Sequence, residues 1–134
     1  MPSSVLDAHA LLAYLEREKG FLKVLDRFTK ALSGEPSPSM TVVNVGEVLY
    51  VVRRELGAEV ARNIDSVIQS LPLDIVSVDL DMARDAARFK AGGGLSYADC
   101  FSAALALREG VPLLTGDLEF RAVEGEVEVE WLQR

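Results

Sequence analysis

The fold of this chain is decided by the stretch LSYADCFSAALALREGVPLLTGDLEF, residues 95–120. Within it, residues 97–107 carry a single charge, Asp99, among apolar and small side chains. A helix that is apolar on nearly every side is normally enclosed by other elements, so the pattern predicts a buried helix with a carboxylate in its first turn. The run VPLLTGD then predicts a buried strand, a glycine turn and a second acid, Asp117. A carboxylate held near the interior needs a hydrogen-bonding cap, a charged partner or a metal ion.

Composition is typical of a globular protein with one core. The chain has 134 residues, of which 49% are hydrophobic and 26% are charged. That length suits a single domain over residues 1–134. The formal net charge of -7 argues against a generally positive surface that would hold nucleic acid nonspecifically. It leaves open a nucleic-acid substrate that is reached through metal ions.

The cysteine content and the hydropathy pattern indicate the cellular compartment of the protein. The single cysteine, Cys100, excludes an internal disulfide and suits a reducing compartment. No apolar run approaches the ~20 residues that span a bilayer. The apolar N-terminal region contains Asp7 and has no basic residues before it, unlike a secretion signal. We therefore expect a cytoplasmic protein without a membrane segment.

Hydrophobic spacing predicts alternating strands and helices along the chain. Strands are expected at residues 3–6, 74–78, 113–115 and 126–131. Helices are expected from residue 8 onwards and at residues 21–32, 44–56, 58–70, 79–91 and 97–107. The last strand alternates Glu and Val, as an edge strand does. This order predicts an α/β fold in three layers, with helices on both sides of a mostly parallel central sheet.

Two further segments allow more than one interpretation. The glycines at 92–94 are a flexible hinge or, less simply, a phosphate loop, although no GxxxxGK[ST] motif is present. A basic row recurs at helical spacing: Lys19, Lys23, Arg27 and Lys30. Such a row is either a solvated helix face or a positive rim that holds RNA phosphates.

Four acids are candidates for one shared site. Asp7 and Asp117 each follow a short apolar strand, and ligands of open α/β sheets bind outside the carboxyl ends of the strands. Glu47 and Asp99 are predicted in the first turns of two helices. Four carboxylates in one crevice repel each other unless cations lie between them, and carboxylates without His or Cys partners select Mg²⁺ or Mn²⁺. Such ions suit phosphodiester hydrolysis, because one activates a water and one stabilises the leaving oxygen.

Each acid taken alone has a simpler explanation as a helix cap. Asp7 precedes a predicted helix, and Asp117 precedes a short turn. Glu47 lies three residues after Asn44, and Asp99 lies three residues after a serine, which is the spacing of a capping box. Capping explains the four acids separately but does not predict that they meet.

Four stretches in order resemble a PIN domain, and among PIN domains the VapC-type toxin ribonucleases of toxin–antitoxin pairs. They are VLDAHALLAYLE, TVVNVGEVLYVVRREL, LSYADCFSAALALREG and VPLLTGDLEF, and the likeness extends from residue 5 to about 132. The resemblance implies a PIN-like sandwich of helices around a parallel sheet. It also implies that four acids bind Mg²⁺ or Mn²⁺, which motif by motif are Asp7, Glu47, Asp99 and Asp117, with Thr115 at the edge of the site.

The same resemblance implies an activity and partners. It implies cleavage of RNA, formation of a homodimer and inhibition by a small VapB-like antitoxin. One position departs from the pattern, because the residue two after the first acid is usually small and polar but is His9 here. His9 either packs near the N-terminus or makes an extra contact to substrate or to a metal-bound water, where it could act as a general base.

These observations favour a metal-dependent endoribonuclease over the other functions considered. A phosphatase of the haloacid dehalogenase kind needs an Asp where His9 stands, and a receiver domain needs a Lys after its last strand, which this chain lacks. The non-enzymatic alternative is a catalytically silent PIN-like module that binds a protein partner or RNA. A scaffold needs no metal, so the presence of all four acids disfavours that module.

Overall fold

The protein is built on one sheet of five strands. A computed structural model describes residues 1–132, so the end of the predicted domain at residue 134 lies outside the described residues. The strands are β1 (Val5–Leu6), β2 (Ser39–Thr41), β3 (Asp74–Val76), β4 (Leu113–Thr115) and β5 (Val129–Trp131). Their order is β3-β2-β1-β4-β5, and every pair in the described chain is parallel. The predicted α/β class with a mostly parallel sheet is therefore confirmed.

Six α-helices and one 3₁₀ helix surround the sheet over residues 1–132. They are α1 (Ala8–Leu15), α2 (Phe21–Leu32), α3 (Val42–Leu56), α4 (Ala58–Ser70), α5 (Leu80–Gly92), α6 (Tyr97–Glu109) and the 3₁₀ helix Leu118–Val123. Within residues 1–132, the helices are all too short or too polar to cross a membrane.

Alternating strand residues divide the interior into two cores. Val5 of β1 points to a core that contains α5 and α6, whereas Leu6 points to a core that contains α1, α3 and part of α4. Leu113 and Leu114 of β4 divide in the same way. Successive residues of a strand face opposite sides of a sheet, so both faces are covered. This arrangement confirms the predicted three layers.

The helix α6 is enclosed, as its composition predicts. Eight consecutive residues, from 99 to 106, are buried, and the only charge among them is Asp99. Because the helix has little polar surface, it packs against the sheet on one side and against α5 and α3 on others. The first turn of α6 consequently brings a carboxylate to the carboxyl end of the sheet.

The strand β2 was not predicted from the sequence. Residues 33–39 suggested a loop and residue 44 the start of a helix, yet Ser39–Thr41 form a buried strand between β1 and β3. Only Met40 in this strand is apolar, and Pro38 stands immediately before it. A strand this short and polar leaves no periodic pattern, so a pattern-based assignment misses it.

The basic row of α2 supports the edge strand β5. Lys23 Nζ donates a hydrogen bond to the backbone oxygen of Trp131 at 2.6 Å, and Arg27 pairs with Glu130 at 2.5 Å. Lys30 pairs with Asp26 at 3.2 Å on the helix itself. Two members of the row, Lys23 and Arg27, therefore connect α2 to β5, which neither interpretation of the sequence included.

The order of the strands creates a crevice between β1 and β4. The chain runs from β1 outward through β2 to β3, and then returns to β4 on the other side of β1. The helices that follow β1 and β4 therefore diverge at this point, which is where open parallel sheets bind ligands. Asp7 directly follows β1, and Asp117 follows β4 after one glycine.

Candidate metal centre

Asp7 is a buried acid with both carboxylate oxygens hydrogen-bonded. As the N-cap of α1, its Oδ1 accepts a hydrogen bond from the backbone nitrogen of Ala10 at 2.8 Å. Its Oδ2 accepts from the Thr115 hydroxyl at 2.5 Å. The residue is 1% exposed, and burial raises its pKa to about 8 although both hydrogen bonds oppose the rise. The negative charges of Asp99 and Asp117 raise this pKa further.

The turn after β4 links Asp7 to Asp117. The Thr115 hydroxyl, which donates to Asp7, also accepts a hydrogen bond from the backbone nitrogen of Asp117 at 3.0 Å. Asp117 in turn caps the 3₁₀ helix, because its Oδ1 accepts from the backbone nitrogen of Glu119 at 3.0 Å. Capping of a helix by Asp7 and by Asp117 is thus confirmed. It does not compete with convergence, because a carboxylate oxygen has lone pairs to spare after one hydrogen bond.

Asp99 lies in the first turn of α6, where Ser96 is the N-cap. The Ser96 hydroxyl accepts a hydrogen bond from the backbone nitrogen of Asp99 at 3.2 Å. Asp99 is 7% exposed, and burial raises its pKa to about 6, against the opposing effect of Ser96. Three neighbouring carboxylates raise the same pKa through their charge: Glu47, Asp117 and Glu119. Asp99 is therefore largely shielded from solvent and lies close to three other negatively charged side chains.

Glu47 reaches the same region from α3, but not as a capping residue. The N-cap of α3 is Thr41, whose hydroxyl accepts from the backbone nitrogen of Asn44 at 3.1 Å. The helix begins earlier than predicted, so the capping box with Asn44 as cap is wrong and Glu47 lies in the second turn. Asn44 is buried, and its Nδ2 donates to the backbone oxygen of Ala98 at 3.0 Å. This bond joins α3 to the first turn of α6.

One oxygen of Glu47 is buried without a hydrogen bond. Its Oε1 has no partner among the residues that the structure describes. Burial raises the pKa of Glu47, the side chain of Asn44 opposes the rise, and the charge of Asp117 adds to it. Buried polar atoms are nearly always paired, because an unpaired one loses its hydration without compensation. A cation beside this oxygen would supply the missing partner.

Glu119 is a fifth carboxylate at the site and is not among the four acids predicted from the sequence. One oxygen atom each from Asp99, Asp117 and Glu119 lie within 4.8 Å of one another, a spacing at which one ion could contact all three. The hydrogen bond from Glu119 to Asp117 is an Asx turn, which brings the residue two positions after Asp back towards it. That turn was the available signal, since Asp117 was already considered as a cap.

The structure brings all four sequence-predicted acids into one region. Asp7 interacts electrostatically with Asp99 and Asp117, and Asp117 also interacts with Glu47. Thr115 lies at the base of the group, where it hydrogen-bonds to Asp7. The donor set consists of carboxylate oxygens, which suit a hard divalent cation. The buried unpaired oxygen of Glu47 and the raised pKa values fit such a cation, because these carboxylates are buried beside one another and no basic side chain within residues 1–132 pairs with them.

Comparison with known proteins identifies similar sequences over most of the chain. The model of the PIN domain family matches residues 4–126, a range that contains all five acids of the site. A protein of Mycolicibacterium smegmatis named Ribonuclease VapC is 31% identical over 128 residues. That match covers 90% of this chain and 95% of the relative.

Solved structures with the same fold cover nearly the whole chain. The DNA-bound VapBC from Salmonella typhimurium has a TM-score of 0.75 at 17% identity, over 98% of this chain and 99% of that chain. VapBC-5 from Mycobacterium tuberculosis, a member of the VapBC family of toxin–antitoxin systems, has a TM-score of 0.61 at 25% identity. It covers 99% of this chain and 100% of the other. At 17% identity, the first likeness shows the fold alone.

Proposed function

The chain belongs to the PIN domain family, in its VapC branch, and on that premise we propose that it is a metal-dependent endoribonuclease that hydrolyses RNA phosphodiester bonds. The observation that carries the proposal is the meeting of carboxylates from β1, α3, α6 and the turn after β4. The crevice at the carboxyl edge of a parallel sheet is the usual position for a ligand. The unpaired buried oxygen of Glu47 supports a cation there.

We propose that four residues bind the cation, which is Mg²⁺ or Mn²⁺. Asp7, Glu47, Asp99 and Asp117 are the proposed ligands, and Glu119 is a further carboxylate within reach of Asp99 and Asp117. When bound, such an ion lowers the pKa of an attacking water and stabilises negative charge on the leaving oxygen.

The remaining residues of the site hold these ligands in place. Thr115 orients Asp7 through its hydroxyl, and Asn44 fixes α3 against α6 so that Glu47 faces Asp99. Burial raises the pKa values of Asp7 and Asp99, so both carboxyl groups tend to hold a proton in the absence of metal. A cation that binds to them displaces that proton. The site therefore binds metal more tightly as the pH rises through the range in which these two acids ionise.

The replacement Asp99→Asn tests the mechanism. The amide keeps the size of the side chain but removes its charge, so RNA cleavage should fall at least about hundredfold in the presence of Mn²⁺. The fold should persist with an unchanged or higher free energy of unfolding, because a poorly compensated buried charge is lost. Cleavage is measured on gels with single-stranded RNA, and folding by urea unfolding.

The exposed acid at the start of β3 provides the matched control. Asp74 lies at the opposite end of the sheet, so Asp74→Asn should cleave RNA at the rate of the unmodified protein. Full-rate cleavage by the Asp99→Asn protein would count heavily against the proposed mechanism. If calorimetry detected no binding of Mn²⁺ to the unmodified protein, the catalytically silent module would be favoured instead.

We also propose a small VapB-like antitoxin as protein partner, and a homodimer as the assembly of the chain. The solved VapBC assemblies with this fold support the first proposal, and the family resemblance supports the second. A cytoplasmic location agrees with the one buried free cysteine, Cys100. Copurification with the product of a neighbouring short reading frame tests the antitoxin, and light scattering of the purified protein tests the homodimer.

A further inference from the structure

The imidazole of His9 rests on the turn that carries Asp117. A Cβ atom built on Gly116 would lie 2.4 Å from Cε1 and 2.9 Å from Nδ1 of His9, so the ring occupies the space that a side chain would need. Gly116 does not have a positive φ angle, and its backbone conformation is therefore open to any residue. The absence of a side chain at Gly116 is explained by the ring of His9.

This contact places the ring beside the turn that carries Asp117. His9 lies in the first turn of α1, two residues after Asp7, and Gly116 lies between Thr115 and Asp117. The side chain of His9 is nevertheless exposed, and it makes no hydrogen bond or ion pair within the described part of the chain. It is thus an oriented polar group at the mouth of the site with free hydrogen-bonding capacity.

The site otherwise presents acceptors to an RNA backbone. Carboxylates repel phosphate oxygens, and two neutral donors beside them already have partners within the protein: the Thr115 hydroxyl bonds to Asp7, and the Asn44 amide bonds to Ala98 and Glu47. An imidazole carries at least one N–H donor whether it is neutral or charged. His9 therefore supplies the type of group that the acids cannot, and its role does not depend on its protonation state.

We propose that His9 binds a phosphate oxygen of the RNA backbone beside the bond that is cut, and that Gly116 is the platform on which its ring is held. This inference rests on the proposed ribonuclease function. It adds a substrate-binding residue that the family pattern does not include. Because the contact is to the backbone, it strengthens binding of every RNA substrate regardless of the base.

Kinetics of His9→Ala and His9→Gln test the contact. A hydrogen bond to a charged group is lost in His9→Ala, so KM for RNA should rise about tenfold while kcat changes less than about threefold. His9→Gln keeps an N–H donor and should have a KM within about threefold of the unmodified protein. Asp74→Asn, at the exposed start of β3 and the opposite end of the sheet, should leave KM unchanged.

The pair His9 and Gly116 allows a second, independent measurement. In Gly116→Ala the added methyl group displaces the ring, so KM should rise as in His9→Ala. In the double variant the ring is absent and the methyl group has room, so KM should be no higher than in His9→Ala alone. Additive effects would mean that Gly116 acts apart from His9, and would overturn the role of the platform.

The outcomes separate this inference from the proposed function. If the unmodified protein neither binds Mn²⁺ in calorimetry nor cleaves RNA, the ribonuclease function fails and His9 has no substrate to bind. If it cleaves RNA and His9→Ala has the same KM, only the His9 contact is overturned. The contact is also overturned if His9→Ala weakens Mn²⁺ binding about tenfold, or if its KM effect changes with the base beside the cut.

Discussion

Thr115 joins the two acids that follow neighbouring strands. Its hydroxyl donates to Asp7 and accepts from the backbone of Asp117, so a single buried oxygen sets the position of both. A hydroxyl can make both bonds at once because it has one hydrogen and two lone pairs. No apolar side chain of the same shape can replace it. We therefore propose that Thr115 acts through Asp7 and Asp117, as a positioning residue.

The replacement Thr115→Val should separate this hydrogen bonding from packing. Valine keeps the shape but leaves Asp7 and the Asp117 backbone without their partner, so the free energy of unfolding should fall by about 1–3 kcal/mol. Affinity for Mn²⁺ should fall at least about tenfold, because the orientation of Asp7 is lost. Urea unfolding and calorimetry measure the two effects.

Thr115→Ser is the control for that measurement. Serine keeps the hydroxyl and loses a methyl group, so its Mn²⁺ affinity should stay within about threefold of the unmodified protein. Equal Mn²⁺ affinity in Thr115→Val and in the unmodified protein would show that the hydroxyl does not position Asp7.

Individual site residues differ in how far the sequence could predict them. Asp99 stood out because it is the one charge in an apolar helix, and Asp117 because it closes a buried strand. Glu119 was indicated only indirectly, by its position two residues after the capping acid Asp117. Its approach to Asp99 depends on the three-dimensional course of the turn after β4, which a one-dimensional pattern does not contain.

At the scale of elements, the site depends on how α3 is fastened to α6. The two helices come from opposite sides of the sheet, and Asn44 connects them by donating to the backbone oxygen of Ala98. The Thr41 hydroxyl donates a hydrogen bond to the side-chain oxygen of the same amide. Both side-chain ends of Asn44 are thus hydrogen-bonded in a buried position, and the residue helps to hold the helix that carries Glu47 against the helix that carries Asp99.

The replacement Asn44→Ala should loosen this connection. Two hydrogen bonds disappear and the Ala98 oxygen loses its partner, so the free energy of unfolding should fall by about 1–3 kcal/mol. Metal affinity should fall with it, because Glu47 is no longer held towards Asp99. Urea unfolding is compared with Asn63→Ala, an exposed position on α4 that should stay within about 0.5 kcal/mol of the unmodified protein. Equal stability of both variants would exclude the connecting role.

Elements were predictable where their side chains repeat. The helices α2 and α4 follow from apolar spacing, α6 follows from its nearly uniform apolar composition, and β5 follows from its alternation of Glu and Val. The strand β2 does not, because its three residues pair through the backbone with β1 and β3, and a backbone pairing has no sequence code of its own. Missing β2 also shifted the predicted start of α3, since the strand ends at the residue that caps the helix.

At the scale of the whole molecule, the acids make stability depend on pH. The pKa of Asp7 is about 8 and that of Asp99 about 6, both raised from an ordinary 3.8. At a pH between 3.8 and these raised pKa values, both carboxyl groups keep their protons in the folded protein but have lost them in the unfolded chain. The free energy of unfolding therefore falls as the pH rises from about 4 towards 8. The loss ends once both acids have ionised in the folded state.

Metal-free protein should accordingly melt at a lower temperature at high pH. We expect the Tm without metal to be at least about 5 °C lower at pH 8 than at pH 5. Saturating Mn²⁺ should raise the Tm more at pH 8 than at pH 5, because the cation compensates ionised carboxylates. Differential scanning calorimetry at constant ionic strength measures both differences.

The variant Asp7→Asn tests the origin of that dependence. It lacks the acid with the highest pKa, so its Tm without metal should change less between pH 5 and pH 8 than that of the unmodified protein. If the Tm of this variant fell as steeply with pH as that of the unmodified protein, a group other than Asp7 would cause the pH dependence.

The bond between Thr115 and Asp7 spans 108 positions of the chain. During synthesis, Asp7 leaves the ribosome long before Thr115 and Asp117 have been translated. A nascent chain can fold its early helices, but it cannot bring these acids together until Thr115 and Asp117 have emerged from the exit tunnel. The site therefore forms late in synthesis, and a chain that stops before residue 115 lacks it.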